Sequence, residues 1–405
     1  MYISSIRVEN IRSFASACVA FQFPGRENGS TYYPNVNVLL GDNGSGKTAI
    51  LQAIALACLG PTLDSSGLVP YYLIRQGAEK ASVTANVIFH PEDFSQDNTT
   101  ENIEIGSQII RDGENELMKW LVGKSTTISQ KMNSTETATS PAFLVFAYGA
   151  TRRVETGDLV LSSMRKSRRL RYQRVAGLFE DYITLTPLSF WLPKVKSRRF
   201  AHICNIIDQL LPEGTRISRK REGETTFFEQ GQHLLPFGAL SDGYRSLLGW
   251  IGDMLYYLQE VCPPGKLLTD LCGVVMVDEV DLHLHPEWQL KIIEQVSTTF
   301  PNLQFIFTTH SPIIAGTLDD QSLFILEQEK INQASTIRQT GVSVYGLETD
   351  QVLSSVYFNL QSTQPQGFRK ELRELSNRAA QGDKDAALLF MQKLNQGGHS
   401  KQKVG

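Results

Sequence analysis

The residues from Val36 to Thr48 constrain this chain more than any others. They run Val36, Asn37, Val38, Leu39, Leu40, Gly41, Asp42, Asn43, Gly44, Ser45, Gly46, Lys47, Thr48. An apolar strand empties into a G-x-x-x-x-G-K-T turn, in which glycines let successive backbone amides and a helix N-terminus face phosphate oxygens. In such a cradle Gly41, Asp42, Asn43, Gly44, Ser45 and Gly46 form the wall, Lys47 reaches the β- and γ-phosphates, and the Thr48 hydroxyl holds Mg²⁺. A chance glycine turn would lack the flanking context. Here Ala49, Ile50, Leu51, Gln52, Ala53 and Ile54 continue as a helix.

The cradle needs a sheet, and the chain can supply one. Its 405 residues exceed one typical domain, and 41% hydrophobic content supplies at least one large core. Charge is segregated: of 39 Lys and Arg and 42 Asp and Glu, residues 152–221 hold 16 and six, leaving 23 and 36 for the rest. Cys18, Cys58, Cys204, Cys262 and Cys272 lack paired spacing, which argues against a disulfide framework and a zinc site and fits a reducing cytoplasm. Arg7, Glu9 and Arg12 stand where a signal peptide needs an apolar core, and no apolar run approaches the length of a membrane span. A cytoplasmic location is therefore expected.

Residues 3–8 and 17–22 read as two short strands flanking Asn10, Ile11, Arg12, Ser13 and Phe14, an N-terminal β layer. By local pattern alone Arg12 is a solvated surface arginine. Residues 81–89 alternate like a half-buried strand with residues 103–110 as a partner, and the Ser- and Thr-rich residues 125–140 read as an exposed loop. The apolar residues 143–148 suggest a central strand emptying into a turn where Arg152 or Arg153 reaches nucleotide or forms a generic basic loop. Residues 161–211 look mostly helical. Two charge runs, Arg165 to Arg174 and Lys194 to Arg199, lie close to Tyr172 and Trp191; such density suits a nucleic-acid backbone, a solvated face or an acidic partner.

Residues 216–229 resemble a hairpin around Gly223, leading to Leu240, Ser241, Asp242, Gly243, Tyr244 and Arg245. Leu247, Leu248, Ile251, Leu255 and Leu258 then fall on one helical face, which places Ser241 at the N-cap and Gly243 in the first turn, where phosphate oxygens can bind. Val274, Val275, Met276 and Val277 followed by Asp278 and Glu279 form a buried strand with two carboxylates at its tip. Asp278 is expected to bind Mg²⁺ through water, and Glu279 to act as general base on the attacking water. His283 and His285 invite a metal reading, but no third ligand is nearby and Pro286 turns the chain into a helix over residues 288–300. Residues 305–309 are another buried strand, ending in His310, for which a γ-phosphate contact is expected. Residues 322–326 add a strand, and residues 348–360 and 368–394 read as helices with Gly382 as a break and a frayed tail from Asn395.

With residues 41–48 and 274–279 as the strongest motifs, joined by His310, residues 240–245 and residues 10–14, the chain resembles an ABC-type ATPase of the group that includes RecF, the SMC heads and OLD-family proteins, over roughly residues 1–330. The resemblance implies an α/β fold. Its P-loop core would have a mainly parallel sheet with flanking helices, plus an N-terminal antiparallel β layer, a helical lobe and a small C-terminal helical region. It implies ATP and Mg²⁺ as cofactors and two chains sandwiching the nucleotide. Ser241 and Gly243 of one would complete the site formed by Gly41, Lys47, Thr48, Asp278, Glu279 and His310 of the other. Arg12 corresponds to the N-F-R-S region near the nucleotide, and Asp281 to the loop that faces the partner subunit. Two departures are Asp242 and Tyr244, where L-S-G-G-Q has Gly and Gln, and the absence of a magnesium-contacting glutamine after Tyr148.

The expected organisation is a first ATPase part over residues 1–155, a basic helical lobe with the signature over 156–264, a second ATPase part over 265–345 and a helical region over 346–405. About 90 residues between Tyr148 and Leu240, without sustained heptads, leave no room for SMC arms. About 75 residues after Lys330 are too few for the nuclease domain of OLD proteins, so any nuclease is expected on a separate chain. The motifs look most like stand-alone ATPase subunits of bacterial anti-phage systems such as Septu and PARIS. The expectation is a Mg-dependent ATPase, homodimeric or of higher order, acting as a switch for an effector nuclease or toxin, with DNA or RNA at the basic lobe. The alternatives are a RecF-like repair ATPase without a dedicated effector, and a scaffold that uses ATP structurally.

Overall fold

Helix α1, Lys47–Leu59, carries Ala49, Ile50, Leu51, Ala53, Ile54, Ala55, Leu56 and Ala57 around its whole circumference, so it has no face to give to water. Two sheets cover it. In a computed structural model, which describes residues 1–27, 29–59, 68, 72–90, 102–113, 115–122, 143–154, 170–220, 226–329, 334–360, 362 and 364–398, α1 is buried along almost its entire length.

The first sheet is antiparallel, built from β1 (Tyr2–Ile11), β2 (Phe14–Ala20), β4 (Lys80–Ile88), β5 (Asn102–Asp112) and β6 (Asn115–Val122) in the order β2-β1-β4-β5-β6. Along β4, Ala81, Val83, Ala85 and Val87 point into the core while the intervening residues are partly exposed, which is the alternation of a one-sided sheet. The second sheet has the order β14-β13-β3-β12-β11-β7. Its strands are β3 (Val36–Gly41), β7 (Val145–Tyr148), β11 (Gly273–Val277), β12 (Leu303–Thr309), β13 (Leu323–Gln328) and the antiparallel edge β14 (Ser335–Arg338). The five others are mutually parallel, so the segments that follow Gly41, Tyr148, Val277 and Thr309 all leave from the same edge.

Buried amides tie the N-terminal segment to the parallel sheet. Gln304 on β12 accepts the Ile3 N–H at 2.8 Å and donates to the carbonyls of Ile3 and Gln22, at 2.8 and 2.7 Å. Asn37 on β3 accepts the Gln22 N–H at 2.6 Å and donates back to the Gln22 carbonyl at 2.9 Å. Polar side chains fully withdrawn from water in this way fix one register, because any slip leaves them unpaired.

A three-stranded sheet, β8 (Thr215–Ile217), β9 (Phe227–Gln230) and β10 (His233–Pro236), includes the hairpin expected around residues 216–229; Gly223 lies outside the described residues. Two long helices complete this part: α2 (Ser197–Leu210) and α3 (Asp242–Val261), the latter burying Leu247, Leu248, Ile251, Leu255 and Leu258. The mostly helical reading of residues 161–211 holds only for α2. Residues 170–196 carry only short helical turns, Leu170–Gln173, Ala176–Leu178, Leu188–Trp191 and Leu192–Lys194, and residues 161–169 lie outside the described residues. Helix α4, Pro286–Thr299, follows His285, whose Nδ1 caps it. Strands β6, β10 and β14 had no counterpart in the sequence reading.

The chain divides into two compact units, Met1–Val352 and Leu353–Gly405. The second is a helical hairpin of α5 (Gln366–Ala380) and α6 (Lys384–Gly398), with Gly382 at φ +94° in the turn. The tail begins later than expected, since α6 runs through Asn395, and the helix expected over residues 348–360 is limited to Thr349–Ser354. The Ser- and Thr-rich residues 125–140 lie outside the described residues. Among the described residues no helix is long and apolar enough to cross a membrane.

Candidate functional site

The turn from Gly41 into α1 is held open by glycine geometry. Gly44 and Gly46 have φ of +81° and +101°, and a Cβ on Gly46 would lie 2.5 Å from the Phe14 ring and 2.9 Å from Ser13 Oγ. Only glycine therefore lets the loop pass under the start of β2. The Lys47 ammonium folds back over its own loop, donating to the carbonyls of Gly41 at 2.8 Å and Asp42 at 3.0 Å. Burial lowers its pKa, with Asp278, Glu279, Asp42 and Asp281 opposing that shift. Ser45 Oγ is buried in the same turn with no hydrogen-bond partner.

Two carboxylates meet this loop from β11. Asp278 is buried, and its two oxygens accept from Thr48 Oγ1 at 2.7 Å and from Thr308 Oγ1. Thr308 Oγ1 also accepts the Glu279 N–H at 2.7 Å, so one hydroxyl at the end of β12 sets both acidic residues. Glu279 adopts φ +48°, an unusual conformation for a residue with a side chain. Asp281 accepts from Thr309 Oγ1 at 2.5 Å.

These groups surround one cavity of about 270 Å³, lined by Arg12, Ser13, Asn43, Gly44, Gly46, Lys47, Thr48, Ala49, Asp278, Glu279 and His310. Arg12 is thus brought to the wall of the cavity while remaining exposed overall, and partial burial of its guanidinium lowers its pKa against the opposing pull of Glu116. Gly41, Asp42 and Ser45 belong to the loop that forms the wall. Ser241 and Gly243 of the same chain do not line this cavity. Their neighbour Asp242 lines a second one, of about 440 Å³, with Arg152, Arg153, Arg245 and His283 among its walls.

Ser241 is the N-cap of α3, as its position implied, but its side chain makes no capping bond and is exposed. Gly243 is buried against the loop after the carboxylates, where a Cβ would come within 2.7 Å of the His283 carbonyl. Asp242 pairs with Arg245, and Tyr244 shares a 2.8 Å hydrogen bond with Thr215 while its ring meets Trp288 edge-on. Tyr244, at the position of the signature glutamine, is thus spent on packing within its own chain.

Two sequence expectations need correction. Arg171 and Arg174 are buried, with their guanidiniums over Phe143 and over Phe146 and Tyr257, and Tyr172 and Trp191 are core residues. They are not a phosphate-facing surface, because each cation is already covered by aromatic faces. Lys194, Lys196 and Arg198 of the second run remain exposed, and Arg165, Lys166, Arg168 and Arg169 lie outside the described residues. Arg152 turns to the backbone of Asp278 and Glu279, not to the cavity around Lys47. Thr308 was missed altogether. Its only signal was a hydroxyl pair, Thr308 and Thr309, closing an otherwise apolar strand.

Chemically, Thr48 and Asp278 present a hydroxyl and a carboxylate side by side. Among the described residues no three His, Cys, Asp or Glu side chains converge as ligands. A hard cation that keeps several waters and takes further oxygens from phosphate suits such a sparse set, which is the habit of Mg²⁺. The loop amides, Lys47 and the partnerless Ser45 hydroxyl fit a phosphate chain beside it.

Residues 5–155 match a family described as "AAA domain", and residues 145–315 match one described as "AAA domain, putative AbiEii toxin, Type IV TA system". The chain is 26% identical over 380 residues to the Septu protein PtuA of Bacillus mycoides (strain KBAB4), covering 93% of this chain and 47% of that protein. It is 29% identical over 184 residues to the retron Ec83 probable ATPase of Escherichia coli, covering 45% of this chain and 33% of that one. The DNA replication and repair protein RecF of Bifidobacterium adolescentis is 29% identical over 154 residues, 36% of this chain and 34% of RecF. The chain spans about half or less of the length of these relatives. Among solved structures, an SMC head bound to the C-terminal winged-helix domain of ScpA superposes with a TM-score of 0.50 at 16% identity, covering 84% of this chain and 98% of that one. The fold is that of an ABC-type ATPase head. The resemblance to RecF and to the Septu protein PtuA in sequence, and to SMC heads in fold, is borne out.

Proposed function

We propose that this chain binds ATP with Mg²⁺ in the cavity around Lys47 and hydrolyses it to ADP and phosphate. In this reading the loop from Gly41 to Thr48 cradles the phosphates, Lys47 neutralises them, Thr48 and Asp278 hold Mg²⁺, and Arg12 and His310 approach the nucleotide from the two flanks. Bound Mg²⁺ supplies charge neutralisation at the phosphates. Glu279 is the general base that takes the proton of the attacking water. The observation that carries the reading is the meeting of Lys47, Thr48, Asp278, Glu279 and His310, distant in sequence, around one cavity.

The site has no signature residue of its own, so a second chain is proposed to supply Ser241 and Gly243 across the nucleotide. The exposed, uncommitted Ser241 cap and the unpaired first-turn amides of α3 support that arrangement. Association through ATP would then make the chain a switch. Similarity to Septu PtuA along 93% of this chain, and to retron ATPases, supports an anti-phage role in the cytoplasm in which the switch controls a separate effector nuclease or toxin. The exposed cations Lys194, Lys196 and Arg198 are the part of the basic segment proposed to meet DNA or RNA.

ATP turnover by Glu279→Gln and Lys47→Ala tests the chemistry. The reading expects both to lose hydrolysis, and undiminished turnover in both removes the assignment. A repair ATPase acting alone is the second reading, favoured by the similarity to RecF. A phage-challenge assay separates the two: protection that depends on Lys47 and on an adjacent effector gene favours defence, and damage sensitivity without such a gene favours repair.

A further inference from the structure

The turn after β7, residues 150–154, lies between the proposed general base and helix α3. Arg152 Nη1 donates to the Asp278 carbonyl at 2.9 Å, and Nη2 to the Glu279 carbonyl at 2.8 Å. A planar guanidinium spans two successive carbonyls in a way that an ammonium cannot. What it spans is the residue just past the end of β11 where the backbone enters the left-handed region, Glu279 at φ +48°. A conformation of that kind persists only where neighbours over-determine it. Thr308 holds the Glu279 N–H and Arg152 holds the carbonyl, so the peptide groups on either side of the Glu279 Cα are both anchored.

We propose that Arg152 is a positioning residue for Glu279: by taking the carbonyls of Asp278 and Glu279 together it fixes the backbone that carries the Glu279 carboxylate into the nucleotide cavity. The proposal rests on the reading of Glu279 as general base. Arg152 itself is absent from the walls of the cavity around Lys47, so it acts through Glu279 and not on the phosphates.

The other end of the turn is anchored to α3. Val154 sits where a Cβ on Gly249 would come within 2.7 Å of it, and the Leu185 N–H donates to the Arg153 carbonyl at 2.8 Å. Burial pushes the Arg152 pKa down to about 10, with Asp278, Asp281 and Glu279 opposing the shift, so the guanidinium stays charged at neutral pH. Its cationic form is the one that both carbonyls need.

The test compares steady-state ATP hydrolysis and equilibrium ATP binding, with Mg²⁺, for the wild-type chain, R152A, R152K and E279Q. The expected result for R152A is a fall in kcat of about 100-fold, the scale of an ångström-sized displacement of a reacting group. KM and nucleotide affinity should stay at wild-type values. R152K should recover little, and free guanidinium ion added to R152A should restore part of the rate, which a merely structural defect would not allow. A rise in KM matching the loss, or wild-type turnover in R152A, overturns the proposal. If R152A does not fold, R152K carries the test: a loss of kcat at unchanged KM supports it and wild-type turnover overturns it. E279Q separates the two readings. Wild-type hydrolysis by E279Q overturns the general base and the positioning role together, whereas an inactive E279Q beside a fully active R152A overturns the positioning role alone.

Discussion

Thr48 Oγ1 donates a 2.7 Å hydrogen bond to Asp278 Oδ2, joining the first turn of α1 to the tip of β11 across 230 positions of sequence. The pair is the meeting point of the phosphate loop and the acidic strand, and it is where the proposed cation sits. Thr48→Val keeps the shape and removes the hydroxyl. Hydrogen bonds to charged groups are worth about 1.5–3 kcal/mol, or roughly 10- to 100-fold. Mg-dependent turnover should fall by that factor, and Thr48→Ser should restore it. Full activity in Thr48→Val, followed in a Mg²⁺ titration, would remove the hydroxyl from the site.

Thr308 serves Asp278 and Glu279 at once. In Thr308→Val the buried Asp278 loses a donor and the Glu279 N–H loses its acceptor, and each buried group left unpaired costs about 1–3 kcal/mol. Urea unfolding should show a loss of that order together with a fall in kcat, and Thr308→Ser should recover both. An unchanged urea midpoint would mean that water replaces the hydroxyl at no cost.

Gly46 couples the phosphate loop to Phe14. At φ +101°, with a Cβ that would meet the Phe14 ring at 2.5 Å, Gly46→Ala carries a backbone penalty of about 1–3 kcal/mol as well as a clash. ATP binding should be lost in Gly46→Ala. Phe14 is fully buried, so Phe14→Ala alone costs about 3–5 kcal/mol and is the reference for the double variant. Adding Gly46→Ala to Phe14→Ala should lower the melting temperature by less than it does in the wild-type chain, because the ring contact is gone while the backbone strain and the Ser13 contact remain. No further loss would contradict the φ requirement.

Cys58 lies in the last turn of the buried helix α1, and burial pushes its thiol up to about 12. Its folded value therefore lies above the unfolded one, and the stability it contributes is complete below about pH 9 and lost as pH rises toward 12. The slope is on the order of 1.4 kcal/mol per pH unit. Comparing the wild-type chain with Cys58→Ala by urea unfolding at pH 8 and pH 10, the stability gap should narrow at the higher pH. A constant gap would contradict the burial argument.

The glycine turn before α1, the proposed phosphate loop, was legible because it is local: Gly44, Gly46, Lys47 and Thr48 need only their own spacing to carry a strand into a helix start. The buried strands were legible for a related reason, since Val274 to Val277 and Phe305 to Phe307 are apolar runs too short and too β-branched or aromatic to be anything else. Asp278, Glu279 and His310 then followed as polar residues at strand tips. What the sequence could not reveal were side chains whose role depends on a distant neighbour. Arg171 and Arg174 read as surface charge, yet lie over Phe143, Phe146 and Tyr257, and nothing in a charge run tells a solvated arginine from one stacked on a ring. Thr308 and Arg152 were hidden similarly, because their partners are the backbone of another strand. Tyr244 shows the converse: its departure from the signature pattern was plain, but its contacts with Thr215 and Trp288 emerge only from the fold.

The central claim is that Lys47 and the Thr48–Asp278 pair form a single site for nucleotide and cation. Equilibrium binding of a fluorescent ATP analogue to the wild-type chain and to Lys47→Ala, each with Mg²⁺ and with EDTA, measures it most directly. The account predicts saturable binding to the wild-type chain that weakens in EDTA, and a loss of at least about tenfold in Lys47→Ala, where a charged hydrogen-bonding group is removed. Binding of equal strength in Lys47→Ala, indifferent to Mg²⁺, would contradict it.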